Sequence, residues 1–286
     1  MLLVAGSLWA MVQSEGGRIE RQGEEATLIV DSPRPVDSAA ITLAEQYRMR
    51  VSVEDPVYLY DGDVKDVTRE VVRTPDFTRR VVAPRGGRLE VKFRVREDGS
   101  PEDPAEVVKA LVDAANVQFP FGFRMDVSEG WVSLVPARSR DKQGRSIEVA
   151  PLLDRRVTIP WGTRSLAESA LMMAEQLSRQ TGKKVSCCQA GVGGIPWGLQ
   201  EVAFEAVNEP ARDVLKRMIA LSLEGRPNPY YWLARCDVGE GGWCFINLRA
   251  VPPAPEPQTR PGPEAVPQPG KWFDKTPRLG SPKAKE

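Results

Sequence analysis

An internal repeat constrains the fold of this chain more than any other feature. The segment Arg34–Gln46 matches Arg164–Gln176 at an offset of 130 residues. In each copy the apolar residues return every three or four positions, which predicts an amphipathic helix. Short β-like runs flank both helices, at 27–30 and 51–53 in the first copy and at 156–159 and 184–187 in the second. The repeated unit is therefore strand–helix–strand.

The second copy continues into a longer alternation of strands and helices. In residues 201–207 the apolar side chains fall on alternate positions, which indicates a strand with one buried face. Asn208 is the candidate N-cap of the next helix, and a hairpin with strands at 230–236 and 243–249 closes the pattern. Residues 155–251 are therefore predicted to run β-α-β-β-α-β-β, as a small sheet with two helices on one face.

The first half follows the same pattern more loosely. Residues 89–96 alternate between apolar and charged side chains, Asp103 can cap a following helix, and residues 123–135 have the pattern of a hairpin. We therefore predict an α+β fold of two tandem β-α-β-β-α-β-type modules, with helices on one face of each sheet. The predicted boundaries are 18–138 for the first module, 139–153 for a polar linker and 154–251 for the second module.

The N-terminal segment is predicted from its hydrophobicity. Residues Leu2–Val12 form an apolar run of 11 residues, which is too short for a hydrocarbon core about 30 Å thick. Ser14 and Gly16 supply small residues at a candidate cleavage site, so residues 1–17 are a candidate signal peptide. No basic residue precedes Arg18, and an apolar N-terminal strand is therefore the alternative.

The C-terminal segment has a different composition. Residues 252–286 hold ten of the 25 prolines, which predicts a disordered, Pro-rich tail. Trp272 and Phe273 are its aromatic residues and are candidate contacts for a partner. The alternative is a spacer with a chance aromatic pair, because Pro-rich composition specifies no partner.

Composition excludes several classes of function. The chain has no histidine, which removes Ser–His–Asp and Cys–His nucleophile systems and His-ligated zinc. Lys plus Arg equals Asp plus Glu at 39 each, so the overall charge favours neither nucleic acid nor an anionic membrane. We predict no catalytic, cofactor-binding or metal-binding residues and no membrane span. A hydrolase that uses Asp or Glu is the enzymatic alternative.

The four cysteines are Cys187, Cys188, Cys236 and Cys244, and they allow three pairings. Cys236 and Cys244 flank the turn of the last hairpin symmetrically and could face one another across its strands. Cys187 and Cys188 are adjacent in a strand, so their side chains are expected on opposite faces. A structural disulfide is the leading interpretation for an exported chain, and reduced core cysteines are the alternative. A zinc site would need two pairs of cysteines with two to four residues between the members of each pair, and this sequence lacks them.

The segment 191–198 is rich in glycine. A phosphate-binding loop would lead into a helix, whereas a strand follows here. We therefore predict a connection, with Ile195 and Trp197 as candidate contacts for a partner.

Two motifs of the second half carry a family resemblance. The first is Arg-Ser-Leu-Ala-Glu-Ser-Ala-Leu at 164–171, set between two strands, and the second is Asn-Glu-Pro-Ala-Arg-Asp-Val-Leu-Lys-Arg-Met at 208–218, followed by a hairpin. In this order they resemble the short N-terminal domain shared by secretins and TonB-dependent receptors. Residues 26–60 echo the opening half of that domain. The resemblance implies an extracytoplasmic unit of the cell envelope that contacts other proteins.

The sequence thus leads to a hypothesis about function. We expect a non-enzymatic, periplasmic or secreted protein that binds another protein and no nucleic acid. The expected contact sites are an exposed sheet edge and the Trp197 loop of the second module. The alternatives are a histidine-free hydrolase and a cytoplasmic protein with the same fold.

Overall fold

The computed structural model describes residues 17–71, 80–128, 130–188, 201–223, 229–238 and 242–252. Three of the predictions concern other residues: the N-terminal apolar run, the Gly-rich segment with Ile195 and Trp197, and the Pro-rich tail with Trp272 and Phe273. They lie outside the described residues and stay predictions.

The first half contains the expected strand–helix–strand units with a small hairpin inserted between them. Its elements are β1 (Arg18–Gln22), β2 (Glu25–Ser32), α1 (Pro35–Tyr47), β3 (Val51–Glu54), β4 (Val64–Asp66), α2 (Thr68–Val71), β5 (Val82–Pro84), β6 (Gly87–Arg94), α3 (Pro104–Gln118), β7 (Phe123–Ser128) and β8 (Trp131–Pro136). Without β1 and the insertion from β4 to β5, the order is β-α-β-β-α-β-β.

From Arg156 onward, the second half has the same order of elements. Its elements are β9 (Arg138–Arg140), β10 (Ser146–Glu148), β11 (Arg156–Ser165), α4 (Leu166–Thr181), β12 (Lys184–Cys187), β13 (Glu201–Pro210), α5 (Ala211–Ser222), β14 (Tyr230–Cys236) and β15 (Trp243–Ala250). The α+β class is confirmed, and so is the predicted β-α-β-β-α-β-β order of the second half. The predicted linker contains the two-stranded sheet β9–β10 in place of an irregular stretch.

Local sequence explains where the helices begin and end. The Asp103 carboxylate accepts the Ala105 N–H at the start of α3, and the Ser165 hydroxyl accepts the Glu168 N–H at the start of α4. The prediction that Asn208 caps α5 was wrong. Pairing with β11 carries β13 as far as Pro210, so the helix begins only at the next residue. In the described part of the chain, no helix combines the length and apolar character needed to cross a membrane.

The strands of each half are divided between two sheets. In the first half, β1, β2 and β6 form one antiparallel sheet, and in the second half β11 pairs with β13. The remaining long strands form a single six-stranded sheet in the order β12-β15-β14-β3-β8-β7. The two halves therefore share a sheet, where one small sheet in each half was expected.

The shared sheet separates two hydrophobic cores. Tyr231 and Leu233 on β14 belong to the core of the first half, whereas Trp232 and Ala234 belong to the core of the second half. Successive residues of a strand point to opposite faces, so the two cores lie on opposite sides of the sheet. Helices α1 and α3 pack on one face and α4 and α5 on the other, each pair being covered in turn by its own smaller sheet. The fold thus has five layers.

The halves join where β14 runs parallel to β3. Leu233 pairs with Val53, Ala234 pairs with Glu54, and the Asp55 N–H donates to the Ala234 carbonyl at 2.8 Å. All four residues of β3 are buried, including the polar ones that face the second half. Because both faces of this contact are covered, the two halves are held in one orientation.

Candidate functional site

A cluster of buried and half-buried charged side chains lies at the contact between the halves. We call it the joint and define it as Glu54, Asp126, Asp154 and Arg212. The Arg212 side chain is 5% exposed. Its guanidinium donates to Glu54 at 3.1 Å and to Asp126 at 3.0 Å, and it lies 2.7 Å from Asp154. One arginine of α5 thus links the second half to β3 and β7 of the first.

Burial dominates the electrostatics of the joint. It raises the pKa of Glu54 above the ordinary value of 4.5, and the Arg212 guanidinium opposes this rise. The Leu153 N–H donates to the same carboxylate at 3.1 Å. Arg124 supplies a second cation, 2.8 Å from Asp154. The joint is therefore a network in which every named charge has an oppositely charged partner.

A second group of ion pairs lies nearby. Arg34 Nε donates to Asp55 at 2.8 Å, and Arg235 Nε donates to Asp37 at 2.7 Å. Burial raises the pKa of Asp37, and Arg235 opposes the rise. Burial also raises the pKa of Tyr58 well above 10, and its hydroxyl donates to Asp55 at 3.2 Å. The Arg235–Asp37 pair ties the first half to β14, and Arg34 also donates to the Cys236 carbonyl of β14 at 3.1 Å.

A cavity of about 240 Å³ opens in the first half and bears on the hydrolase alternative. Four carboxylates contribute to its lining: Asp37, Glu54, Asp55 and Asp63. Each of them forms an ion pair with an arginine, namely Arg235, Arg212, Arg34 and Arg140. A general acid must be able to release and take up a proton at the reacting bond. In this cavity all four of these carboxylates are held by arginines.

The cysteine pair of the last hairpin has the expected arrangement. Cys236 and Cys244 are directly opposite one another in the β14–β15 ladder, and their sulfurs lie 2.04 Å apart. A cross-link that closes so short a loop contributes about 2–3 kcal/mol in the chain-entropy model. The pair therefore fastens the strand that makes the contact with β3.

The other cysteine pair corrects a prediction. Cys187 and Cys188 were expected on opposite faces of a strand, and this was wrong, because their sulfurs lie at disulfide distance. The strand β12 ends at Cys187, and Cys188 has a φ of 63°, in the left-handed region. That turn of the backbone brings the second sulfur back to the first.

The open surface of the shared sheet lies at its β12–β15 end. Trp243 and Phe245 project from β15 on the side away from the second core and remain 43% and 37% exposed. Their rings are stacked at 5.7 Å between centroids and 9° between planes. The Lys184 ammonium of β12 lies 5.2 Å from the centre of the Trp243 ring. We call these three residues the aromatic platform.

Among the described strands of the shared sheet, exposed aromatic rings occur at this end. At the opposite end, β7 exposes the apolar side chains of Met125 (39%) and Val127 (59%). On β14 and β3, the face that carries the platform is covered by α1 and α3, and their apolar residues there are buried.

The strand 243–249 was predicted, but the platform was not. Apolar residues occupy both faces of this strand, Trp243 and Phe245 on one and Cys244 and Ile246 on the other. Such a pattern is typical of a strand that is covered on both faces, so it does not distinguish exposed aromatic residues from buried ones.

An exposed sheet edge was predicted for the second half, without naming the strand that forms it. In the shared sheet, β14 is paired with β3, so the outer strand of the second half is β12. The opposite end of the sheet is β7, where Arg124 and Asp126 carry the ion pairs of the joint region. Both end strands are short, which limits pairing with another chain.

Among the described residues, no group of three or more Asp, Glu or Cys side chains is arranged to hold a metal ion.

Sequence and structure comparisons give no relative for this chain. No family model matches the sequence, and no curated protein and no solved structure matches the chain.

Proposed function

We propose that this chain is a non-enzymatic protein of the cell envelope that binds another protein through the aromatic platform. The observation that carries the proposal is the exposure of two stacked aromatic rings on a sheet whose central strands are covered on both faces. Exposed apolar patches of this kind mark interaction sites in soluble proteins, and aromatic residues are enriched at the centres of such sites.

The order of elements supports the likeness to secretins and TonB-dependent receptors on which the envelope location rests. Each half has the β-α-β-β-α-β-β order that was predicted for the second half, which carries the resemblance. We propose that both halves are modules related to the short N-terminal domain of those proteins. The two cysteine pairs at disulfide distance also favour an oxidising compartment such as the periplasm.

Intact mass under non-reducing conditions tests the compartment. The protein is purified from its own host in the presence of a thiol alkylator. We expect all four cysteines unalkylated and the N-terminal segment removed. Four alkylated thiols on a chain that retains this segment would contradict an envelope location, and the cytoplasmic alternative would replace it.

Site-specific photo-crosslinking in host cells tests the binding site. A photoreactive phenylalanine analogue replaces Trp243 in one variant and Trp161 in the other. Trp161 is the matched control, because it lies on the outer sheet of the second half and is 67% exposed. We expect one discrete protein adduct from position 243 and none from position 161. Adducts of equal yield at both positions, or none at 243, would contradict the proposal.

A further inference from the structure

The charges around the aromatic platform indicate which kind of partner it fits. The residues of β12, β14 and β15 that share its face are known from the strand register: Lys184 is opposite Trp243, and Arg235 is opposite Phe245. Arg249 lies on the same face, further along β15. Among the described residues of these three strands, every charged side chain on this face is therefore basic.

The nearby acidic groups do not reverse this balance. Asp37 forms an ion pair with Arg235 at 2.7 Å, and the Asp237 carboxylate accepts the backbone N–H of Trp243 at 3.2 Å. Lys183 lies beside Lys184 and donates to the Asp237 carbonyl at 2.9 Å. With Arg249, the described residues named here comprise four basic side chains against two acidic ones, whereas the whole chain has 39 of each sign.

The orientation of the rings adds to this charge preference. Phe245 stacks on the Trp243 ring, and the Lys184 ammonium lies over that ring. Both contacts are made at a face of the Trp243 ring. The edge of an aromatic ring is the positive part of its quadrupole, so it favours carboxylate and carbonyl oxygens.

We infer that the partner of the aromatic platform is an acidic protein segment that also carries apolar side chains. The apolar side chains cover the rings of Trp243 and Phe245, and the carboxylates face Lys184 and the ring edges. This inference rests on the proposed function and names the chemistry of the partner. A second copy of the chain fits less well, because two platforms face to face would bring like charges together.

Nucleic acid also fits less well than an acidic protein. Base-stacking surfaces present open ring faces to successive bases along a positively charged groove. Here the indole face is already in contact with Phe245 and Lys184.

Fluorescence anisotropy with defined probes tests the inference. The probe is a short labelled peptide in which Asp and Glu alternate with Phe and Leu, and the comparison probes are the same peptide with Lys in place of each acid and a labelled oligothymidylate. We expect only the acidic peptide to bind, with affinity that falls as salt increases. Trp243→Ala should weaken its binding about thirtyfold, as for the centre of an interface.

Charge reversal separates the platform from general electrostatics. Lys184→Glu should weaken binding of the acidic peptide about tenfold. Lys92→Glu is the matched control, since Lys92 is exposed on β6 and the change in net charge is the same. We expect the control to bind as the unaltered protein does.

Three outcomes would overturn the inference: equal binding of the Lys peptide, equal or tighter binding of the oligothymidylate, or equal losses for Lys184→Glu and Lys92→Glu. The photo-crosslink from position 243 is measured independently of these probes. An adduct at that position together with no preference for acidic peptide would remove the inference and leave the proposed function standing.

Discussion

The strands β7 and β14 occupy the same position in their two halves, as the first strand of the hairpin that ends each β-α-β-β-α-β-β unit. They differ in their place in the shared sheet, where β14 is central and β7 is an end strand. Residues Tyr231–Ala234 of β14 are buried without interruption, and this strand pairs with the other half. β7 alternates apolar residues with Arg124 and Asp126 and lies at the end of the sheet. Of two related modules, one therefore offers a strand for joining and the other closes the sheet.

The difference lies in the second face of each strand. Strands with both faces covered are typically apolar on both, unless buried polar side chains find partners, as Ser52 and Glu54 of β3 do. β14 is apolar on both faces, with Trp232 on one side and Leu233 on the other. In β7 one face carries charged side chains, which oppose the pairing of a further strand.

Placing a charge on β14 should have the largest effect. Leu233→Asp puts a carboxylate into the core of the first half and should cost at least about 4 kcal/mol, enough to prevent cooperative folding. Met125→Asp is the matched change on β7, at a site that is 39% exposed, and should cost less than about 1 kcal/mol. Urea unfolding followed by circular dichroism measures both. Similar losses would mean that burial does not distinguish the two strands.

Removing either of the two arginines that contact Asp154 should have effects of intermediate size on stability. Arg212→Ala leaves the buried Glu54 without its cation and should cost about 3–5 kcal/mol. Arg124 also contacts Asp154, but its side chain is 49% exposed, so Arg124→Ala should cost less than about 1 kcal/mol. The free energy of unfolding in urea is again the measurement. A smaller loss for Arg212→Ala than for Arg124→Ala would show that the joint does not stabilise the fold.

The pH dependence of the joint should give the smallest effect. Burial raises the pKa of Glu54, so this side chain holds its proton more tightly in the folded protein than in the unfolded chain. Its contribution to stability is then complete below the ordinary value of 4.5 and declines as the pH rises through the raised value. Glu54→Gln removes this decline.

We therefore expect the stability of Glu54→Gln relative to the unaltered protein to improve as the pH rises from the ordinary glutamate value towards neutrality. Unfolding titrations at a series of pH values follow this difference. A relative stability that falls as the pH rises would contradict the assignment, since it would require a carboxylate stabilised by the fold.

Much of the local structure could be predicted from sequence, because periodicity and turn residues act over short distances. Examples are the two helices of the repeat, the last hairpin, and the facing of Cys236 and Cys244. The hairpin was predicted to end at Arg249 and ends one residue later, at Ala250. The vicinal arrangement of Cys187 and Cys188 was missed, since it depends on one residue in the left-handed region, which no neighbouring residue signals.

The shared sheet could not be predicted for a different reason. Ser52 and Glu54 alternate with valines, a pattern that is typical of a strand with one face in water. In the structure these polar residues face the second half, where the Ser52 hydroxyl accepts the backbone N–H of Trp232 and Glu54 pairs with Arg212. Their partners lie in the last third of the chain, beyond the range of any periodicity. The aromatic platform is open because the sheet extends past the helices of the first half, which is also a consequence of this long-range pairing.

The parallel contact between β3 and β14 also governs the order in which the protein can be completed. Ser52 and Trp232, which meet there, are separated by 180 residues of sequence. During synthesis, β3 is therefore made long before the strand that covers its edge and before the arginine that neutralises Glu54. Contacts of such long range slow folding and leave strand edges open to aggregation in the meantime. The first half of the chain can reach its final form only after the last hairpin has been made.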